Sequence, residues 1–189
     1  MNTPAHLIFG AGFFAKPDAP TVTAAALAGA IFPDLSLYFL AGWALLVEQI
    51  PPQVVFDELY FSDAWQRVFA VDNSIPLLAV VAAFGAWSKR PEVFAFAGAA
   101  LLHLLLDLPL HHDDGRPHFW PFTMWVYESP ISYWDSRQYA RFVAPLEALV
   151  CLAVMISLWR RFTGWEARVG FGALMALELW VIRQWLLFF

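Results

Sequence analysis

The chain has 189 residues, of which 60% are hydrophobic and 14% are Asp, Glu, Lys or Arg, and its formal net charge is −5. A soluble domain carries about a quarter of its residues as charged side chains, and the apolar residues here form long runs without amphipathic alternation, which predicts contact with lipid. The acidic balance offers no basic surface for nucleic acid, so DNA and RNA are excluded as partners.

The N-terminal residues predict a short helix over Pro4–Ala15 that stays in the mature chain, with Thr3 as its N-cap. A cleaved leader is the alternative, because Leu7 to Ala15 are apolar, although no Lys or Arg precedes them. The mixture of aromatic, aliphatic and charged residues over Pro51–Val71 predicts an interfacial amphipathic segment. The polar and aromatic stretch His111–Tyr139 predicts an ordered loop with short interfacial helices.

The remaining apolar runs predict about five membrane-spanning helices. The run Ser74–Trp87 is short, so its helix is expected either to start near Asp72 or to lie in a thinned region of the membrane. The expected fold is all-α: one polytopic membrane helical bundle over residues 1–189, with about five spanning helices, a short N-terminal helix and interfacial helices. The predicted spans are Thr21–Val47 with an interruption at Pro33–Asp34, Ser74–Trp87, Glu92–Leu110, Phe142–Trp159 and Trp165–Phe188.

Basic residues orient the predicted bundle. Lys89-Arg90 and Arg160-Arg161 mark tight turns on one side, while most acidic residues fall in loops on the other side. An excess of Lys and Arg is typical of cytoplasmic loops. The sequence therefore predicts a multi-pass protein of the bacterial inner membrane, with the acidic loops facing the periplasm.

The helix before the polar loop carries ionisable residues at helical spacing. His103 and Asp107 are i and i+4 and share one helix face, which His111 continues if the helix persists beyond Pro109. An imidazole and a carboxylate on adjacent turns can direct lone pairs toward one metal ion. The alternative is that they hydrogen-bond to each other or to a neighbouring helix. Burying an Asp at the centre of a spanning helix costs about 2.5–3.5 kcal/mol, which favours a functional reason.

The predicted topology brings distant polar residues to the same membrane level. His6 opens the first helix toward the outer side, and Asp34 lies in the outer half of the next one. Asp72 precedes a helix at the outer face, where His103 and Asp107 end another. Residues far apart in sequence thus converge on one face, and we interpret this convergence as a candidate metal site.

Three short motifs occur in a characteristic order: His6 in a short apolar helix, Phe32-Pro33-Asp34 in the next helix, and a His-x-x-x-Asp helix from His103 to Asp107. The first 120 or so residues resemble the YdjM/YbcI-like family of bacterial inner-membrane metal-dependent hydrolases. That family is considered distantly similar to zinc-dependent phospholipase C and to helical nucleases with clustered zinc ions.

The resemblance implies that His6, Asp34, His103 and Asp107 are metal ligands. The chain departs from the family pattern at two positions. Ser36 stands where the family commonly has a second Asp, and Asp72-Asn73-Ser74 replaces a Thr-His-Ser element. Asp72 could substitute as an oxygen ligand, and the following residues could also compensate: His111, His112 and Asp114.

The leading hypothesis is a membrane-embedded hydrolase that acts on a phosphoester or a lipid-like substrate. Zinc is the expected metal and manganese the alternative. Asp72 or Asp114 is expected to act as the base, and Arg116 or Arg137 to hold the phosphate bidentately.

Two other hypotheses stay open. The first is a non-catalytic accessory or assembly subunit that uses the same scaffold to bind a membrane-protein partner. The second is an ion or proton pathway, ranked last because no inverted repeat is visible. Its residues would be Asp34, Asp107, Glu147 and Glu178.

Overall fold

A computed structural model describes residues 1–188, and within that range it contains helices and loops but no β-strand. This confirms the predicted all-α class. Short 3-10 turns occur at Phe32–Asp34 and Ser136–Gln138, and a π-helical turn at Val55–Leu59. The α-helices are α1 Thr3–Phe14, α2 Pro20–Ile31, α3 Leu35–Leu46, α4 Pro52–Val54, α5 Asp63–Asp72, α6 Ile75–Trp87, α7 Pro91–Asp107, α8 Ala140–Arg161 and α9 Trp165–Phe188.

Three helical stretches among the described residues are long and apolar enough to cross a membrane: Pro20–Leu46, Asp63–Trp87 and Ala140–Arg161. This is consistent with a membrane protein. The predicted count of about five spans is not confirmed, and α7, with 17 residues, is shorter than the roughly 20 that a span needs.

Two predicted helix starts differ from those observed. α1 begins at Thr3 itself, and the Thr3 hydroxyl bonds to the hydroxyl of Tyr38 rather than capping the helix. α6 begins at Ile75 because the Ser74 hydroxyl accepts a hydrogen bond from the Leu77 N–H at 3.2 Å. Asp72 therefore ends α5 and does not open the following helix.

The centre of the bundle is built from small residues. α7 packs against α1, α2 and α6, and α1 also contacts α8 and α9. An added Cβ at Gly29 of α2 would lie 2.0 Å from the Phe96 carbonyl oxygen of α7, so only glycine permits this approach. Close backbone contact is a usual way to join helices in lipid, where the hydrophobic effect does not drive helix association.

The first turn of α1 is tied to the C-terminal helices. The Asn2 backbone N–H donates to Glu147 Oε1 at 3.0 Å, and Glu147 contacts Glu178, which is fully buried. These contacts fix the depth of α1 in the bundle. They bring His6 beside the C-terminal end of α7.

Candidate metal centre

Three buried side chains from α1 and α7 converge on one point. His6 Nε2 lies 3.0 Å from Asp107 Oδ1, and His103 Nε2 lies 3.1 Å from Asp107 Oδ2. One ligand atom of each of the three residues lies within 4.8 Å of the others. Asp107 Oδ1 also pairs with the amino group of Met1.

The tautomer of His103 follows from its second ring nitrogen. His103 Nδ1 lies 2.7 Å from the carbonyl oxygen of Ala30, and because a carbonyl only accepts, Nδ1 carries the proton and donates. The lone pair of a neutral imidazole is then on Nε2, which faces Asp107. A backbone carbonyl that orients a histidine in this way is the usual outer-shell partner of a metal ligand.

His6 and His103 stack face to face, with ring centroids 3.5 Å apart and an interplanar angle of 9°. Both Nε2 atoms are buried, and neither has a partner with hydrogen-bond geometry in the part of the chain that the structure describes. Unpaired buried ring nitrogens are costly. A cation between them and Asp107 would satisfy both.

The donor set suits zinc. Bonds of about 2.0–2.1 Å in a tetrahedral site separate the ligand atoms by roughly 3.3 Å. The imidazole nitrogens lie 3.0 and 3.1 Å from the two Asp107 oxygens, one nitrogen to each oxygen. Two His and one carboxylate also leave a fourth position for water or substrate, as in catalytic zinc sites.

Two further predicted ligands lie beside this set. Asp34 Oδ1 is 3.9 Å from His103 Nε2 and 3.2 Å from Arg116 Nη1, so the guanidinium competes for this carboxylate. His111 follows the end of α7, and its Nε2 nevertheless lies 3.4 Å from Asp107 Oδ2. Its Nδ1 is 2.9 Å from Asp114 Oδ2.

Three other predicted site residues form hydrogen bonds or ion pairs away from the three candidate ligands. His112 Nδ1 donates to the Ser129 carbonyl at 2.6 Å. Asp72 accepts from the Ser36 and Asn73 N–H groups. Arg137 is 83% exposed and pairs with Asp135 of its own turn at 3.0 Å.

Arg116 is buried where two helices are interrupted. Its Nη1 donates to Pro33 O at 2.9 Å, and to Asp34 Oδ1 and Asn73 Oδ1 at 3.2 Å each. The Phe32–Asp34 turn separates α2 from α3, and Asn73-Ser74 separates α5 from α6. Arg116 therefore satisfies polar groups that both interruptions expose.

The loop residues of the site have shifted pKa values. Burial lowers the pKa of His111, but the Asp107 carboxylate and hydrogen bonds outweigh it and raise the pKa above its ordinary value. Burial raises the pKa of Asp114, but contacts with His111 and Trp134 outweigh it and lower the pKa. Arg116 stays charged, because Tyr60 and Asp34 outweigh the effect of burial and raise its pKa.

A cavity of about 580 Å³ reaches Asp107, one of the three candidate ligands. Asp107, His111, Asp114 and Arg116 line its polar part, and aromatic and aliphatic side chains line most of the rest. This volume is in the range of small-molecule sites. Asp114 and Arg116, unlike Asp72 and Arg137, are therefore next to a space that could hold a substrate.

Two tyrosines and an amide in the site were not predicted from the sequence. Tyr60 accepts from Arg116 Nε at 3.3 Å and donates to the Asp114 carbonyl at 2.7 Å. Tyr38 donates to Asp34 Oδ2 at 3.1 Å, and the i,i+4 spacing of this pair could have indicated it. Asn73 donates to Pro33 O and accepts from Arg116, so it links the Phe32–Asp34 turn to Arg116.

Comparison with protein-family models, curated proteins and solved structures yields no match for this chain.

Proposed function

We propose that this protein is a metal-dependent hydrolase of a phosphoester, with zinc held by His6, His103 and Asp107. The observation that carries the proposal is the pair of unpartnered, buried Nε2 atoms that face one carboxylate. Hydrogen bonding of these histidines to Asp107 is the competing explanation, since both nitrogens lie within 3.1 Å of its carboxylate, but neither contact has hydrogen-bond geometry. The order of the His6, Asp34 and His103–Asp107 motifs, which resembles that of YdjM/YbcI-like hydrolases, supports the same conclusion.

Bound zinc would lower the pKa of a coordinated water and polarise a phosphoryl oxygen. Arg116 lies in the cavity wall, and its hydrogen bonds to other described residues are made by Nε and Nη1, not by Nη2. The Arg116 guanidinium is therefore suited to hold a phosphate oxygen. The Asp114 carboxylate accepts a hydrogen bond from Trp134 Nε1 at 3.1 Å and lies beside His111. Asp114 and His111 can therefore accept a proton and pass it on next to Asp107.

The membrane arrangement that accompanies this proposal has five spans. In this arrangement α7 and α9 cross the membrane in addition to the three stretches identified by length and composition. The short α7 would cross where the bilayer is thinned. The Lys/Arg bias of the turns supports cytoplasmic turns and a site at the periplasmic face of a bacterial inner membrane.

The test is hydrolysis by purified protein in detergent, loaded with zinc and given bis(p-nitrophenyl) phosphate. We expect product release that stops after chelation and returns when zinc is restored. Asp107→Asn, which keeps the side-chain size but removes the charge, should be inactive. Zinc binding without hydrolysis, together with a co-purifying membrane protein, would favour the accessory-subunit role.

Arg116→Lys is expected to lower kcat/KM by about tenfold or more, because an ammonium cannot reproduce the planar guanidinium fork. Arg137→Lys is the matched control, because Arg137 is exposed and its guanidinium pairs with Asp135 of its own turn. Steady-state kinetics on the soluble phosphodiester measures both. Equal losses in the two variants would contradict the role of Arg116.

A further inference from the structure

The cavity beside the candidate ligands is amphipathic. Arg116 and Asp107 are among its polar lining residues, whereas Leu37, Phe56 and Val181 belong to its apolar lining. A small soluble phosphoester would leave that apolar surface without a partner. A ligand with a phosphate at one end and a hydrocarbon chain at the other would cover both parts.

The apolar residues that line the cavity come from helices that belong to different groups in the bundle. α3, which contributes Leu37 and Tyr38, packs against α5 and the Val55–Leu59 turn. α9, which contributes Val181, packs against α1 and α8. α3 and α9 therefore both line the cavity, together with Thr3 and Pro4 at the start of α1, and the space between α3 and α9 is called the cleft below.

Both helices that flank the cleft expose large apolar side chains. Phe39 and Leu46 of α3 are 72% and 77% exposed, and Trp180 of α9 is 58% exposed. α3 belongs to the Pro20–Leu46 stretch, which is apolar enough to cross a membrane. The cleft is thus flanked by surfaces suited to lipid chains.

The charges around the cavity also favour a ligand that comes from the bilayer. The exposed carboxylates Asp57 and Asp113 also line it, and they disfavour the approach of an anionic phosphate from water. Arg116, which is itself buried, attracts the phosphate once it is inside. A ligand arriving from the bilayer keeps its chain in an apolar environment throughout.

We propose that the substrate is a membrane lipid with a phosphoester headgroup, and that it enters sideways from the bilayer through the cleft between α3 and α9. Its headgroup reaches Arg116 and the candidate ligands, and one acyl chain lies against Leu37, Phe56 and Val181. This inference rests on the proposed hydrolase activity and specifies its substrate class.

The test uses zinc-loaded protein in phosphatidylcholine vesicles that contain phosphatidic acid with a diazirine on one acyl chain. Illumination and peptide mapping are expected to place the label on Leu37, Phe56 or Val181. Val181→Trp should reduce this labelling, and any lipid hydrolysis, by about tenfold or more, because it fills the cleft and prevents productive placement. Val169→Trp is the matched control, since Val169 lies on the same helix, is 61% exposed and does not line the cavity.

The outcomes separate this inference from the function beneath it. Hydrolysis of the soluble phosphodiester with no labelling in the cleft, or with equal labelling in both Trp variants, would overturn lipid entry and leave the hydrolase intact. Labelling in the cleft that Val181→Trp removes, without hydrolysis of either substrate, would support lipid entry and overturn the hydrolase. Unchanged zinc content in Val181→Trp shows that the ligands are still in place.

Discussion

His103→Ala is expected to abolish the zinc content of the purified protein, and Asp107→Ala to have the same effect. Each change removes one of three ligands, whereas loss of an outer-shell partner alone typically costs about 10–100-fold in metal affinity. The measurement is metal analysis by mass spectrometry after purification in detergent, followed by titration against a chelator. His103→Gln, which retains a hydrogen-bond donor of similar size, separates loss of the ligand from loss of the fold.

His112→Ala is the matched control for this prediction. His112 adjoins His111 in sequence, but its ring donates to the Ser129 carbonyl and is not part of the three-residue group. Its replacement should leave the zinc content unchanged. If His103→Ala and Asp107→Ala retained as much zinc as the unmodified protein, the metal centre would be refuted.

Gly29→Ala is expected to lower the free energy of unfolding more than replacement of any other described glycine by alanine. The new Cβ would meet the Phe96 carbonyl oxygen at 2.0 Å and the Phe96 carbonyl carbon at 2.7 Å, and backbone cannot rotate away. Overpacking of this kind costs about 1–3 kcal/mol and occasionally more. Because His103 Nδ1 bonds to Ala30, displacement of α2 should also weaken zinc binding.

Gly42→Ala provides the comparison, since an added Cβ there has no heavy atom within 4 Å. It lies in α3, where alanine favours a helix over glycine by about 1 kcal/mol, so stability should be unchanged or slightly higher. Thermal unfolding in detergent, followed by size-exclusion chromatography, measures both variants. A melting temperature for Gly29→Ala equal to that of Gly42→Ala would show that α2 and α7 can separate without cost.

Helix positions in this chain follow from local signals. The long apolar runs predicted α9 with its observed bounds and α8 to within two residues at each end, and Pro33 marked the interruption between α2 and α3. The start of α6 was misplaced because Ser74 and Pro76 define a helix start more strongly than the nearby Asp72 does. The number of spans was less secure, since α7 is apolar but short.

The neighbours of the candidate ligands depend on contacts that sequence spacing does not encode. Arg116 and Arg137 were equivalent candidates in sequence, yet Arg116 is buried against Pro33 and Asn73, whereas Arg137 is exposed. Likewise, the sequence placed His111 on the His103–Asp107 face only if the helix continued past Pro109; α7 ends at Asp107, and His111 contacts Asp107 from the following loop.

The sequence by itself determined that the chain is helical and apolar, and that His103 and Asp107 share one face, because composition and the helical period are local properties. Only the tertiary structure decided that His6 stacks on His103 and that both face Asp107 without hydrogen-bond partners. The physical reason is that α1 and α7 are far apart in sequence, so their alignment depends on tertiary packing such as that of Gly10 beside Ala99 and of Gly98 beside Phe14. The direction in which a buried imidazole points depends on that packing.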